Sequence, residues 1–528
     1  MTLANRVAIV VVAALGTALV TGCTPFGPAG MDANARTMAS DNASTPPLQL
    51  LHQLSMVNRI TWGATPSLMQ QVSTLGTDHY IELQLQPAQH PILPAAVQQQ
   101  IDGMSITQRP PDQLVFELEQ KRRDGDALAD PDLKKAAQQA YQQELARLAR
   151  EAMTRTTLRA LYSPGQLQEQ MIWFWMNHFN VHQNKKNLRA LIGDYEERAI
   201  RPRALGRFRD LLGATVHHPA MLRYLDNEQN AAGRINENYA RELMELHTLG
   251  VNSGYTQTDV QELARILTGV GVNMTPNKPR LRPELQSQYV REGLFEFNPA
   301  RHDYGDKLFL RRPIKGRGLA ELDEALDRLA REPATARFVA QKLALYFVSD
   351  KPPAALVGRL AGTFASSDGD ISAVLRELFA SREFRDSLGK KFKDPVHYVV
   401  SAVRLAYDDK PILNAGPMIG WFNRMGEPLF SRETPDGFAL TQAAWASPGQ
   451  MTTRFEIAKA IGSGSAGLFK TEGPQPLERA AFPQIANALF FSTMQRSLSK
   501  TTREALDQAN SPQEWNTFLL SSPEFMNR

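Results

Sequence analysis

Residues 226–269 read DNEQNAAGRINENYARELMELHTLGVNSGYTQTDVQELARILTG: a loop, a helix, a tight connection and a second helix. The first helix is predicted over 236–249. Asn236 is a good N-cap, because its side chain can accept a hydrogen bond from a free backbone N–H. Glu237 falls in the first turn, where the helix dipole favours an anion, and Gly250 can take the left-handed conformation that ends a helix. At about 100° per residue, Tyr239, Ala240, Leu243, Met244, Leu246 and His247 share a broad apolar face. Asn238, Glu242 and Glu245 lie on the other face, with Arg241 beside them. His247 is too far round the helix for all three groups to reach one metal ion, so ELMELH is not a zinc motif of the HExxH type. His247 reads as a buried, hydrogen-bonded core histidine. Glu242 and Glu245 are either solvated or, if buried, in need of partners, because an unpaired buried charge is costly or titrates to neutral. Thr256 with Asp259 forms a capping box, Val260, Leu263, Ala264 and Leu267 give a core face, and Gly269 ends the second helix. Two helices joined by a short segment with two glycines make an αα-hairpin.

Helical patterns continue on both sides. Residues 133–162 form a long run rich in Ala, Gln, Glu, Lys and Arg, read as a solvated helix, and 166–178 a strongly apolar one. Helices over 203–216 and 219–224 are split at His217-His218-Pro219 by proline and the restriction on the residue before it. Between about 270 and 318 the character changes. The runs LFEF (294–297) and KLFL (307–310) predict one β-hairpin near 293–311 with HDYGD in its loop. Further helices follow, interrupted at 409–450 by a mobile-looking stretch with Gly and Pro throughout. The expected fold is therefore all-α, built of αα-hairpins, with one small β-hairpin insertion, and 48–528 as the helical domain.

The hairpin NENYARELMELHTLGVNSGYTQTDVQELARILTG resembles the signature of the bacterial domain-of-unknown-function 1800 family, together with WGATP (62–66), FWMNHFNV (174–181), HPAMLRYLDN (218–227), HDYGDK (302–307), ARFVAQKLALYFVSD (336–350) and KFKDPVHYVVSAVR (391–404). The match runs from about 48 to 460. It implies an exported bacterial protein, often encoded beside a second exported family, and carries no defined activity with it. Three positions depart from the pattern: Met176 where His is common, and Val270 and Phe438 where Trp is common.

The start of the chain agrees with export. Residues 1–22 read as a signal peptide, with Arg6 before an apolar core too short for a comfortable membrane span. VTGC (20–23) resembles a lipobox, so Cys23, the one cysteine in the chain, is the expected lipidation site and membrane anchor, carrying acyl chains such as palmitate. Thr24 after it resembles the outer-membrane sorting pattern, which places the protein in the cell envelope facing the periplasm. Residues 23–47 read as a flexible tether of Pro, Gly, Ala, Ser and Asn. Net charge is +4 with charges interspersed, and the absence of a basic stripe with interleaved aromatics argues against nucleic acid.

No GxSxG, P-loop or dinucleotide fingerprint is present, and Cys23 is committed to the anchor. One enzymatic arrangement gathers His178, Asn236, Glu237, Asn238, Glu242 and Glu245 around a cleft for acid–base hydrolysis. His178, Glu242, His302 and Asp303 are its candidate ligands for a divalent metal. His178 and His182 would share a face only if their helix continued, and Asn180 and Val181 suggest that it ends. Asp226-Asn227 are expected beside Asn236 and Asn238, His302-Asp303 with Asp306 serve equally as a turn device, and SSDGD (366–370) is expected to cap the next helix. The rival arrangement is a binding or scaffold protein, in which the Asn/Glu/Arg set is a polar network fixing the hairpin and the surface serves a co-encoded exported partner.

Overall fold

Two helices form the centre. In Gln166–His178 every residue but Asn177 is buried, and in Pro395–Tyr407 all are. A helix without a polar face can only be interior. The computed structural model describes residues 47–86, 92–251, 253–470 and 482–528, and these form one compact unit. Around the two central helices pack Pro47–Ile60, the hairpin of Pro333–Phe347 with Ala354–Ser366, and Pro448–Gly462 against Pro512–Leu520. The long Pro131–Tyr162 helix buries residues only from Leu145 onward, so its first half is solvated and its second half enters the core. Among the described residues no helix is long and apolar enough to cross a membrane. Cys23, the signal segment and the tether, apart from Pro47 at the start of the first helix, lie outside the described residues.

The fold is mainly α-helical, as expected, but the β pairing differs. Phe295–Phe297 is the central strand of a three-stranded antiparallel sheet between Val270–Val272 and Val290–Glu292. Lys307–Phe309 pairs instead with Arg312–Ile314. The expected hairpin between LFEF and KLFL therefore does not form. Local turns win: Gly293, at φ +59, returns the chain to 295–297, and Leu310 and Arg311, at φ +50 and +63, make the two-residue turn of the second ribbon. HDYGD links the two sheets rather than tipping a hairpin. The 409–450 stretch is also corrected. It contains the Gly416–Arg424 helix, and Ile419, Trp421, Phe422, Met425, Leu429 and Phe430 are buried.

Beside the Gln166–His178 helix the chain winds a π-helical segment, Tyr195–Ile200, whose acids face inward. Arg201 meets Glu169 at 2.6 Å, Glu196 at 2.8 Å and Glu197 at 3.5 Å. Burial opposes the guanidinium's charge, but these three carboxylates outweigh it and raise the arginine's pKa. Glu169 and Glu196 are themselves buried, so this group ties the two segments together from inside the core.

Candidate functional site

The first helix of the 226–269 hairpin is Asn238–Glu245, shorter than the predicted 236–249. Its end widens, with His247 N bonding Glu242 O at 3.1 Å and Leu249 and Gly250 N both reaching Met244 O. Gly250, at φ +86, then reverses the chain. Asn236 does accept from a helix N–H, that of Asn238 at 3.0 Å. The Thr256–Asp259 capping box forms as expected. Tyr239, Ala240, Leu243, Met244 and His247 are buried, while Leu246 is only half-buried.

The asparagines are spent on architecture. Asn227 Nδ2 donates to Leu267 O and Val270 O, at 3.1 and 2.8 Å. Asn230 donates to Ala264 O at 2.8 Å and accepts from Asn236 N at 2.9 Å. Asn236 and Asn238 reach back to Asp226 O and Leu225 O. Glu237 accepts from Arg241 and from Gln257 of the second helix. This network locks the loop to both helices, because it satisfies backbone carbonyls that the turns leave open. SSDGD likewise caps: Asp370 accepts from Ala373 N at 2.9 Å.

His178 ends its helix, so His182 does not share its face. His178 Nε2 bonds His247 O at 3.0 Å, and the two rings lie 6.1 Å apart among Phe179, Phe208 and Phe338. Among the described residues His178 Nδ1 and His247 Nε2 have no partner. Burial, then the nearby Lys342, lowers both imidazoles, His178 well below its usual range and His247 to about 3. Lys342 Nζ sits 5.4 Å from the Phe338 ring centre, and burial brings its pKa down to about 8 against the pull of Asp436.

Glu242 is different. It is half-buried, its carboxylate has no hydrogen bond or ion pair among the described residues, and burial, then Glu245, raises its pKa despite Arg241. Asp436 adds to that rise from the 430–438 loop. The loop is pinned onto the 177–183 segment. Asn177 exchanges two bonds with the Phe438 backbone, Asn180 donates to Arg432 O and Thr434 O, and Tyr224 OH donates to Glu433 O. Gly437, at φ +78, lies so close that a Cβ would meet Asn177 O at 2.2 Å.

His302 and Asp303 belong elsewhere. His302 bonds Thr268 through Nδ1 and Glu321 Oε1 through Nε2, the latter at 2.9 Å. Glu321 Oε2 meets the buried Lys307 at 2.5 Å. Asp303 makes a two-point ion pair with Arg265 and accepts from Gly305 N. The four metal candidates His178, Glu242, His302 and Asp303 are thus not gathered. Among the described residues no three His, Cys, Asp or Glu side chains form a group that could hold a metal ion. The reason is geometric: His178 bonds the inner, His247 side of the helix, Glu242 lies on the opposite side, and His302 has both nitrogens occupied.

The family model described as "Protein of unknown function (DUF1800)" matches residues 55–527. The chain belongs to the DUF1800 family. No curated protein and no solved structure is detectably similar to it. In this DUF1800 chain, sequence reasoning missed Asp436, Lys342 and Tyr224. PDGF in a Gly/Pro-rich stretch and a lysine within an amphipathic helix carry no local sign that tertiary packing brings them beside Glu242 and His178. The one usable signal was Asn177 and Asn180 inside an apolar motif, where polar side chains need partners.

The two imidazoles of the DUF1800 core give a pH test. Their folded pKa values are depressed, so the unfolded chain protonates first as pH falls below about 6.5. Stability is expected to decline from that pH downward, by up to about 1.4 kcal/mol per pH unit for each histidine. Urea titrations at pH 7.5, 6 and 5 measure the slope. His247→Phe is expected to flatten it, and an unchanged slope would refute the assignment.

Proposed function

We propose that this protein is a lipid-anchored binding or scaffold component of the bacterial envelope, held by Cys23 in the outer membrane facing the periplasm and working with another exported protein. The observation that carries the reading is Glu242. The asparagines, Glu237, His302 and Asp303 all serve the fold, whereas Glu242 is half-buried, unpaired and crowded by Glu245. Keeping an acid there lowers stability, so its return lies outside the free chain. A cationic group on a partner would relieve the repulsion and be recognised by it.

Glu242→Ala is expected to leave the melting temperature unchanged or raise it. The sign follows from the raised folded pKa: the carboxyl favours folding below its unfolded pKa, and that advantage is lost as pH rises through the folded value. The same variant should lose the exported protein that co-purifies with wild type from envelope fractions. A drop of several degrees in melting, with the partner retained, would put Glu242 in the architecture and end the proposal.

A second reading rests on the same raised pKa. A carboxyl that keeps its proton closer to neutral pH suits a general acid, so an acid–base hydrolase of envelope material is the alternative. Hydrolysis of isolated envelope polymer by wild type, lost in Glu242→Gln while the partner still co-purifies, would favour it over the scaffold.

A further inference from the structure

Lys393 is unlike the other buried cations. Arg59, Arg201, Lys307 and Arg528 each meet carbonyl or carboxylate oxygens. Lys393 is 3% exposed, and among the described residues its side-chain nitrogen has no hydrogen bond or ion pair; Nζ rests 3.7 Å from the centre of the Phe525 ring. Its backbone is held on both sides, N donating to Met526 O at 2.8 Å and O accepting from Arg454 at 2.7 Å. The charges around it do not compensate. Arg454 and Arg528 are cations, and the adjacent Asp394 is bound to His397 Nδ1 at 2.7 Å. Glu427, which lies against Asp394, has its pKa raised by burial and by that carboxylate, which disfavours its negative charge.

Lys393 lines a cavity of about 60 Å³ with Asn58, Leu405, Leu519 and Phe525. A single water needs only about 10–15 Å³ of such space, so the void holds a group of several heavy atoms. Asn58 Oδ1 accepts from Ala64 N at 2.9 Å, which leaves its Nδ2 donor without a partner among the described residues. Glu524 also borders the cavity, but its oxygens are taken by Ser499 N and Thr502 Oγ1, each at 2.8 Å. Ser401 and Ser497, also in the wall, donate their hydroxyls to Tyr398 O and Met494 O, while the Ser522 hydroxyl accepts from Phe525 N; the recognition elements are thus the Lys393 amine, the Asn58 amide and the Ser522 hydroxyl between leucine walls.

We infer that this cavity binds a short aliphatic carboxylate, its head on Lys393 and Asn58 and its carbons on Leu405 and Leu519. Phosphate fits less well, because so few donors leave part of its oxygen set unsatisfied and its second charge meets the Glu524 carboxylate at the cavity edge. Burial, then Arg454 and Arg528, holds the free amine well below the usual lysine range. An anion seated beside it raises the amine's pKa, so binding and protonation of Lys393 are linked. Affinity is full below the free amine's pKa and is lost as pH rises through the bound value.

The test is calorimetric titration of the full-length protein with butyrate at pH 7, in two buffers of different ionisation enthalpy. Saturable binding is expected, with any proton uptake read from the difference between the buffers, and weakened at least tenfold in Lys393→Met. In the unaltered protein, butyrate should also protect Lys393 from an amine-acylating reagent, read by peptide mass mapping, which decides the matter even if the variant does not fold. The inference is overturned by absence of saturable binding and protection, by equal affinity for butanol, or by tighter binding of inorganic phosphate.

Discussion

Glu321→Leu is expected to destabilise the protein by about 3–5 kcal/mol, the usual cost of removing one partner of a buried ion pair. Glu321 is fully buried and accepts from His302, Lys307 and the backbone N–H groups of Arg317 and Gly318. Burial alone would raise its pKa, but the bonds from His302 and Lys307 outweigh it and hold the carboxyl low. The variant leaves Lys307 charged, dry and facing only the Asp303 carbonyl. Two further outcomes follow. Adding Lys307→Met to the variant should recover much of the loss, since the uncompensated charge goes. In wild type the stability that this carboxylate supplies is present above its unfolded pKa and is lost as pH falls through the lower folded value. Urea denaturation of the single and double variants measures both. A single-variant loss below about 1 kcal/mol would contradict the ion-pair account.

Arg201→Met is the second large effect, again about 3–5 kcal/mol. Methionine fills much of the space but abandons Glu169 and Glu196, both buried and close to one another's charge. Arg201→Lys should fare little better. A single ammonium lacks the planar fork that reaches Glu169 through Nη1 and Glu196 through Nη2. Recovery of wild-type melting by lysine would show that charge alone matters at this position.

These effects fall on groups that the sequence did not single out, and the reason is instructive. Local rules transmit well: the Thr256–Asp259 box, the glycine stops at 250 and 269, the Asp370 cap and the break at His218-Pro219 each depend on a few neighbouring residues, and each appears in the structure. The burial of His247 was legible too, although the helix stops at Glu245 before reaching it, and the hydrogen-bonded ring expected there is not found: Nε2 has no partner among the described residues. The strand pairing was not legible. LFEF and KLFL look like partners in a linear reading, but Gly293 and the Leu310-Arg311 turn close shorter ribbons first, and shorter loops cost less entropy.

By itself, then, the sequence determined the helical class, the caps and stops, the inward face of the 238–245 helix and the family. Tertiary structure alone decided which polar groups are spent and which remain. It tied Asn227, Asn230, Asn236 and Asn238 to carbonyls of neighbouring turns, drew His302 to Glu321, and pinned the 430–438 loop so that Asp436 presses on Glu242. A residue's type states what bonds it can make. Whether those bonds are satisfied depends on groups brought in from far along the chain, and that is settled only when the chain packs.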